Sequence, residues 1–289
     1  MSFLRLIKIK HFMVVYLGLL IVYIAISTGN YFALWSAVLT ISLYISYDLV
    51  WTYWRRRIWY FSLSSVISGM VLSLVIMPDP SLSLSIFLPL LAVFSKHLLN
   101  FGKERHLFNP AGFSLAIASL IIPVIAWWGP SWGRVPMSLQ SIIRFDFGSI
   151  LFIILVLGGL SVLAWQRKFH IALAFFLAQG FFLTLISLSD GVYLQILDVL
   201  GSQIINPTAI FFATVMLVEP MTSTFGDWKK DVIYGFLVGV ASIAIGYVER
   251  NFSVIHIDTL IFALLIANLI AGIWFLPRRE DLPQYSHRV

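Results

Sequence analysis

Ten apolar runs occupy most of this 289-residue chain, at about residues 12–28, 31–51, 58–77, 82–99, 109–128, 148–165, 170–188, 205–225, 232–248 and 256–276. A bilayer crossing by a helix takes about 20 apolar residues, so the runs read as ten membrane spans. Charge leads to the same place. Only 11% of the residues are charged, where a soluble domain carries about 25%. Lipid must therefore cover most of the folded surface. The chain is expected to be all-α and polytopic, one integral membrane domain over residues 1–289 with no extramembrane domain.

The basic residues give the orientation. With the amino terminus inside, the inner segments hold Arg5, Lys8, Lys10, Arg55, Arg56, Arg57, Lys96, Lys103, Arg105, Arg167, Lys168, Lys229, Lys230, Arg278, Arg279 and Arg288, and the outer ones hold only Arg134, Arg144 and Arg250. Such a bias of Lys and Arg toward cytoplasmic loops fixes topology. It places a multi-pass protein in the cytoplasmic membrane with both termini in the cytoplasm, and it accounts for the net charge of +6 without a nucleic acid partner. Residues 5–27 also have the outline of a cleavable signal, but a retained first span keeps the charge alternation intact. Trp127, Trp128 and Trp132, and Trp51, Trp54 and Trp59 beside Arg55–Arg57, fit interfacial belts. The longest loop, about 129–147, lies outside.

Several chemistries are excluded or weakened. The chain has no cysteine, which removes disulfides, thiolate nucleophiles and iron–sulfur ligation. Its six histidines show no pairing at one-turn spacing for a metal.

Chemistry enters where the apolar runs break. Asn109-Pro110 opens the fifth span and Asn206-Pro207-Thr208 the eighth, each with Asn as cap and Pro at the first helical position. Glu219-Pro220 then falls before the eighth crossing is complete, so this span should be discontinuous. Broken spans survive where their free backbone groups line a cavity or meet a ligand. A carboxylate at that depth must face protein, water or a cation; hydration at the cytoplasmic interface, or pairing with Lys229 or Lys230, is the simpler alternative for Glu219.

A shift of 140 residues brings Met70–Pro80 over Ile210–Pro220, each segment ending in an acidic residue followed by Pro. The charge-derived topology runs the first copy outward and the second inward. Two five-helix halves, about 1–147 and 148–289, would then be inverted repeats with a site between them. A rival register, Phe108-Asn109-Pro110-Ala111 over Ile205-Asn206-Pro207-Thr208, is incompatible with the first.

Ser68-Gly69-Met70 with its apolar run to Pro78, then Ser95-Lys96-His97-Leu98-Leu99, then Arg105-His106-Leu107-Phe108-Asn109-Pro110-Ala111, resembles the core of the NqrB/RnfD family. These are membrane subunits of the sodium-translocating NADH:quinone reductase and of the Rnf electron-transport complex. Val218-Glu219-Pro220-Met221-Thr222-Ser223-Thr224, followed by Tyr234-Gly235, is similar to the family's second signature. The resemblance covers about residues 60–245 and implies ten spans in two related halves, redox partner subunits and flavin. Two departures limit it. None of the nine threonines forms an Ala-Thr pair in the long outer loop, where the family attaches FMN covalently, and the signature acid is Glu rather than Asp. Covalent flavin is therefore not expected.

The leading expectation is an integral subunit of an electron-transport system that holds FMN or riboflavin non-covalently, or a quinone, with possible coupling to ion movement. Lys96, Arg105, Asn109, Pro110, Asn206, Pro207, Thr208, Glu219, Thr222 and Ser223 are the candidate cofactor-binding residues. Helix amino termini at Pro110 and Pro207 would stabilise an anionic group, and Lys96 and Arg105 belong to a basic cluster that equally suits anionic lipid. Inverted halves with broken helices also suit a transporter or channel for a small solute or ion without redox chemistry.

Overall fold

The computed structural model describes residues 3–76, 81–101, 105–122, 147–191, 196–204, 206–252 and 257–275. Helices dominate: α1 (Phe3–Thr28), α2 (Phe32–Arg56), α3 (Leu63–Val75), α4 (Leu82–Leu98), α5 (Pro110–Ile121), α6 (Phe147–Gln166), α7 (Phe169–Ser189), α8 (Ile196–Ile204), α9 (Pro207–Phe211), α10 (Pro220–Ser223), α11 (Trp228–Phe252) and α12 (Thr259–Trp274). A short hairpin, β1 (Asn100–Phe101) with β2 (Arg105–His106), joins α4 to α5. Among the described residues each of the ten apolar runs contains a helix or, for the eighth, a helical series. Windows within α1, α2, α7 and α11 are long and apolar enough to cross a membrane. Outward faces carry exposed Leu19, Leu157, Leu173, Leu177, Phe181 and Ile273, the surface that lipid rather than water would cover.

Side-chain caps place the helix starts. Ser62 accepts from the Ser64 amide, so α3 begins at Leu63 and not at residue 58, leaving Arg57–Phe61 as exposed connection. Asn109 accepts from the Gly112 amide and Asn206 from the Thr208 amide, each ahead of a proline at the first helical position, as the sequence predicts. Asp258 caps α12 in the same manner. The segment α8 was not among the apolar runs, because nine residues with an apolar stripe on one side are too few to register as a span.

The eighth run is discontinuous, as expected, and in a particular way. After α9 the chain widens into a π-helical turn over Phe212–Met216, with the Leu217 amide donating to the Phe212 carbonyl at 2.9 Å. It then breaks, and Glu219 precedes Pro220 at the start of the four-residue α10. Asp79-Pro80, which the shift of 140 residues aligns with Glu219-Pro220, lies outside the described residues, as do Trp127, Trp128, Trp132 and nearly all of the loop 129–147.

Some helix contacts recur in the two halves of the chain, while the extensive packing of α2 on α3 has only a slight counterpart between α7 and the π turn. In the first half α2 packs on α4, α4 on α5 and α1 on α3; in the second, α7 packs on α11, α11 on α12 and α6 on α9 and the π turn. Between halves, α1 lies against α6 and α5 against α12. The first of these contacts is close: the Tyr16 hydroxyl donates to the Leu155 carbonyl at 3.0 Å, and its ring occupies the space a side chain at Gly158 would need. One continuous core, including Leu17, Leu72, Leu115, Leu155, Phe212 and Leu264, runs through both halves.

Candidate functional site

Six helix ends, together with His106 of β2, converge on a cavity of about 290 Å³. They are the start of α1 (Ile9, Lys10, Met13), the start of α3 (Ser64, Ser68), the end of α4 (Lys96), the start of α5 (Asn109), the end of α6 (Gln166) and the break at Glu219-Pro220. The walls are largely apolar, with Ile67, Val71, Val215 and Met221 among them. A pocket with apolar walls and a few convergent polar groups has the general form of a ligand site.

Glu219 is held at this wall by the break. Pro220 has no amide proton to continue the helical ladder, so the run breaks after Glu219, whose carbonyl accepts the Ser223 amide at 3.0 Å and opens the first turn of α10. Ser223 Oγ donates to that carbonyl at 2.7 Å and Thr222 Oγ1 at 3.3 Å. The Glu219 carboxylate faces Asn109 and Thr222, and Lys96 and Lys168 are the cations that act on it. Its Oε2 is buried without a hydrogen-bond partner. Pairing with Lys229 or Lys230 is not seen: Lys230 donates to the Phe275 carbonyl instead. Tyr44 from α2 and Tyr234 from α11, both fully buried, also approach Glu219, so the acid sits where the two halves meet.

Lys96 comes to the cavity on a fixed stem. Its Nζ lies 2.9 Å from Asp48 Oδ1 and donates to Ser65 Oγ at 2.8 Å. Ser65 in turn donates to Asp48 Oδ2 at 2.5 Å, and His97 Nε2 lies 2.7 Å from Oδ1. Three buried or half-buried groups thus saturate one carboxylate. Trp51 stacks on the His97 ring at 5.7 Å, so this tryptophan supports the cluster, whereas Trp54 and Trp59 are exposed as interfacial residues should be. The sequence reading did not include Asp48 or Ser65. The signal was there: Asp48 is the single acid of its apolar run, and an ionisable group at that depth is a site by default.

Lys168 clamps the other side of the break. From the turn between α6 and α7, its Nζ donates to the Ser223 carbonyl at 2.8 Å, to Ser223 Oγ at 2.6 Å and to Thr224 Oγ1 at 2.8 Å. Burial pushes this lysine down to about 8, against the opposing pull of Asp231. A lysine lowered on folding binds its proton more weakly than in the unfolded chain, so stability rises as pH climbs from about 8 toward the ordinary lysine value. Thermal midpoints in detergent should therefore increase more between pH 7.5 and 9.5 for the parent than for Lys168→Met. Equal increments would place Lys168 in water.

The sequence candidates separate into four groups. Lys96, Asn109 and Glu219 line the cavity, with Pro110 buried behind Asn109. Arg105 and Thr222 line a small adjoining recess with His106 and Asn268, large enough for about one water. Ser223 is fully buried and its hydroxyl is engaged by Lys168 and the Glu219 carbonyl, which makes it part of the clamp and not a ligand contact. Asn206, Pro207 and Thr208 begin the eighth run at the end opposite Glu219 and do not line the cavity. His106, shared by cavity and recess, is pushed down to about 4 by burial and by the nearby Lys96 and His97, so it is neutral at pH 7. No cluster of metal-ligating side chains occurs among the described residues.

No protein-family model matches the chain, and no curated relative matches it in sequence.

Proposed function

We propose that this protein is an integral membrane subunit of an electron-transport system and that the cavity between its halves holds a non-covalent flavin or a quinone. The observation that carries the proposal is the cavity itself: apolar walls able to sandwich a flat ring, with Lys96, Asn109, Gln166 and Glu219 around it to fix its orientation. The cofactor supplies the redox chemistry. The chain's own groups supply position and charge: Glu219 an acceptor or a proton, Asn109 an amide, Lys96 a cation held by Asp48.

Ten crossings with both termini in the cytoplasm are part of the proposal. The cavity lining supports them, because it collects the starts of α1, α3 and α5 and the ends of α4, α6 and the eighth run. Those six ends fall on one side only if the helices alternate in direction, and the positive-inside bias makes that side cytoplasmic. The helix contacts that recur in residues 1–147 and 148–289 support two inverted halves.

The absorbance spectrum of the detergent-purified protein tests the proposal. A flavin band, or a quinone in the solvent extract, is expected. Glu219→Gln should keep folded yield and lower cofactor content several-fold, since a charge-assisted hydrogen bond is worth about 1.5–3 kcal/mol. A second reading, a transporter for a small solute or ion, rests on the break at Glu219, which is where such proteins bind their cargo. A colourless protein that moves solute in liposomes would establish that reading in place of the first.

A further inference from the structure

Lys10 is the one basic residue of the cavity wall for which neither the sequence nor the reading above provides a role. It lies on α1 one turn before Met13, lines the same space as Lys96, and has Lys96 as its charged neighbour. Among the described residues no carboxylate acts on it, and its side chain makes no ion pair or hydrogen bond there. Lys96 is different: Asp48 and Ser65 take two of its three ammonium protons, which leaves one donor for the cavity. Two like charges facing one cavity repel each other, and burial raises the cost of that repulsion. Gln166, at the end of α6, adds a second unused group, since its buried Oε1 has no partner and its amide stands at the same wall.

We infer that Lys10 and Lys96 form an anion subsite in the cavity, and that it takes the phosphate monoester of an amphipathic ligand. The geometry selects this class. An anion between the two ammonium groups turns their repulsion into two charge-assisted contacts. The remaining wall, with Ile9, Met13, Ile67 and Val71, suits an apolar body attached to that anion and not a free inorganic ion. Glu219 is the only acid among the described lining residues, and its cationic neighbours are Lys96 and Lys168 and not Lys10. The inference rests on the cavity being a ligand site. Within the flavin reading it selects FMN over riboflavin and over a quinone, neither of which carries an anion. The same phosphate chemistry belongs to a lipid with a phosphate monoester head.

The test uses the full chain, purified in detergent and stripped of small molecules, titrated separately with FMN, riboflavin and dodecyl phosphate. FMN should bind about tenfold or more tightly than riboflavin, as the gain from one or two charge-assisted hydrogen bonds requires. Lys10→Gln should bring the two flavins to near parity, and Lys10→Arg should keep most of the difference, with unchanged elution showing that both variants fold. If FMN and riboflavin bind equally and Lys10→Gln alters neither, the flavin reading stands and the subsite is refuted. If dodecyl phosphate binds in a Lys10-dependent manner while neither flavin binds, the subsite stands, its ligand is a lipid phosphate, and the flavin reading falls. Failure of all three ligands to bind overturns both.

Discussion

Asp48→Ala should destabilise the protein more than any other single side-chain truncation near the cavity. The carboxylate is almost fully buried and accepts from Ser65 Oγ, His97 and Lys96 at once. Removing it leaves the Lys96 ammonium buried with one serine hydroxyl as hydrogen-bond partner and Glu219 as its remaining anionic neighbour, and breaking a buried pair in this way costs about 3–5 kcal/mol. Replacing both members with apolar groups removes the stranded charge. Asp48→Leu with Lys96→Met should therefore recover most of the loss, although it leaves Lys10 as the cavity's remaining lysine. Unfolding midpoints in mixed detergent, compared across the two single variants and the double, give the coupling directly. If Asp48→Ala costs less than about 0.5 kcal/mol, the cluster is wetted by water and behaves as a surface pair.

That cluster also shows what was legible in the sequence. Patterns that rest on one stretch of chain were readable: the ten apolar runs, the Asn-Pro helix starts at 109 and 206, and the break at Glu219-Pro220 all reflect local backbone chemistry. Contacts between distant segments were not. Lys96 meets Asp48 across two packed helices, and nothing in the local sequence of either selects the other. Ser223 looked like a ligand contact because it follows the break, but Lys168, 55 residues earlier, takes its hydroxyl. Asn206 resembles Asn109 in sequence and is separated from it by the length of a helix, so chemical likeness did not imply a shared site. The π turn at Phe212–Met216 has a tertiary setting as well: Thr214 fills the space above Gly159 of α6, where any side chain would collide with it.

The closest helix crossing leads to the second large effect, Gly235→Ala in α11. A Cβ at this position would lie 2.3 Å from the Ile171 carbonyl oxygen and 3.1 Å from the Ile171 Cα, and backbone cannot rotate aside as a side chain can. One turn later, a Cβ at Gly239 would meet the Phe175 carbonyl oxygen and the Ala178 Cβ, each at 2.7 Å. Two glycines four residues apart thus form a groove in which α7 lies, the small-residue packing that lets helices associate where lipid supplies no hydrophobic drive. Alanine is the better helix former by about 1 kcal/mol, which favours the substitution. Against this, the clash can be relieved only by moving α7 away from α11, and overpacking of this kind costs about 1–3 kcal/mol or more. Separation would also disturb the neighbouring Tyr234, which donates to Asn268 of α12 and faces Glu219. Gly246→Ala in the same helix is the matched control, because its Cβ would meet only Thr259 Cγ2 at an ordinary 3.6 Å. There propensity decides, and stability should stay level or rise. Gly235→Ala should lower both folded yield and unfolding midpoint, with Gly246→Ala at or above the parent. Equal midpoints for the two variants would mean that α7 and α11 do not pack this closely, and the cavity built on their neighbours would lose its rigid support.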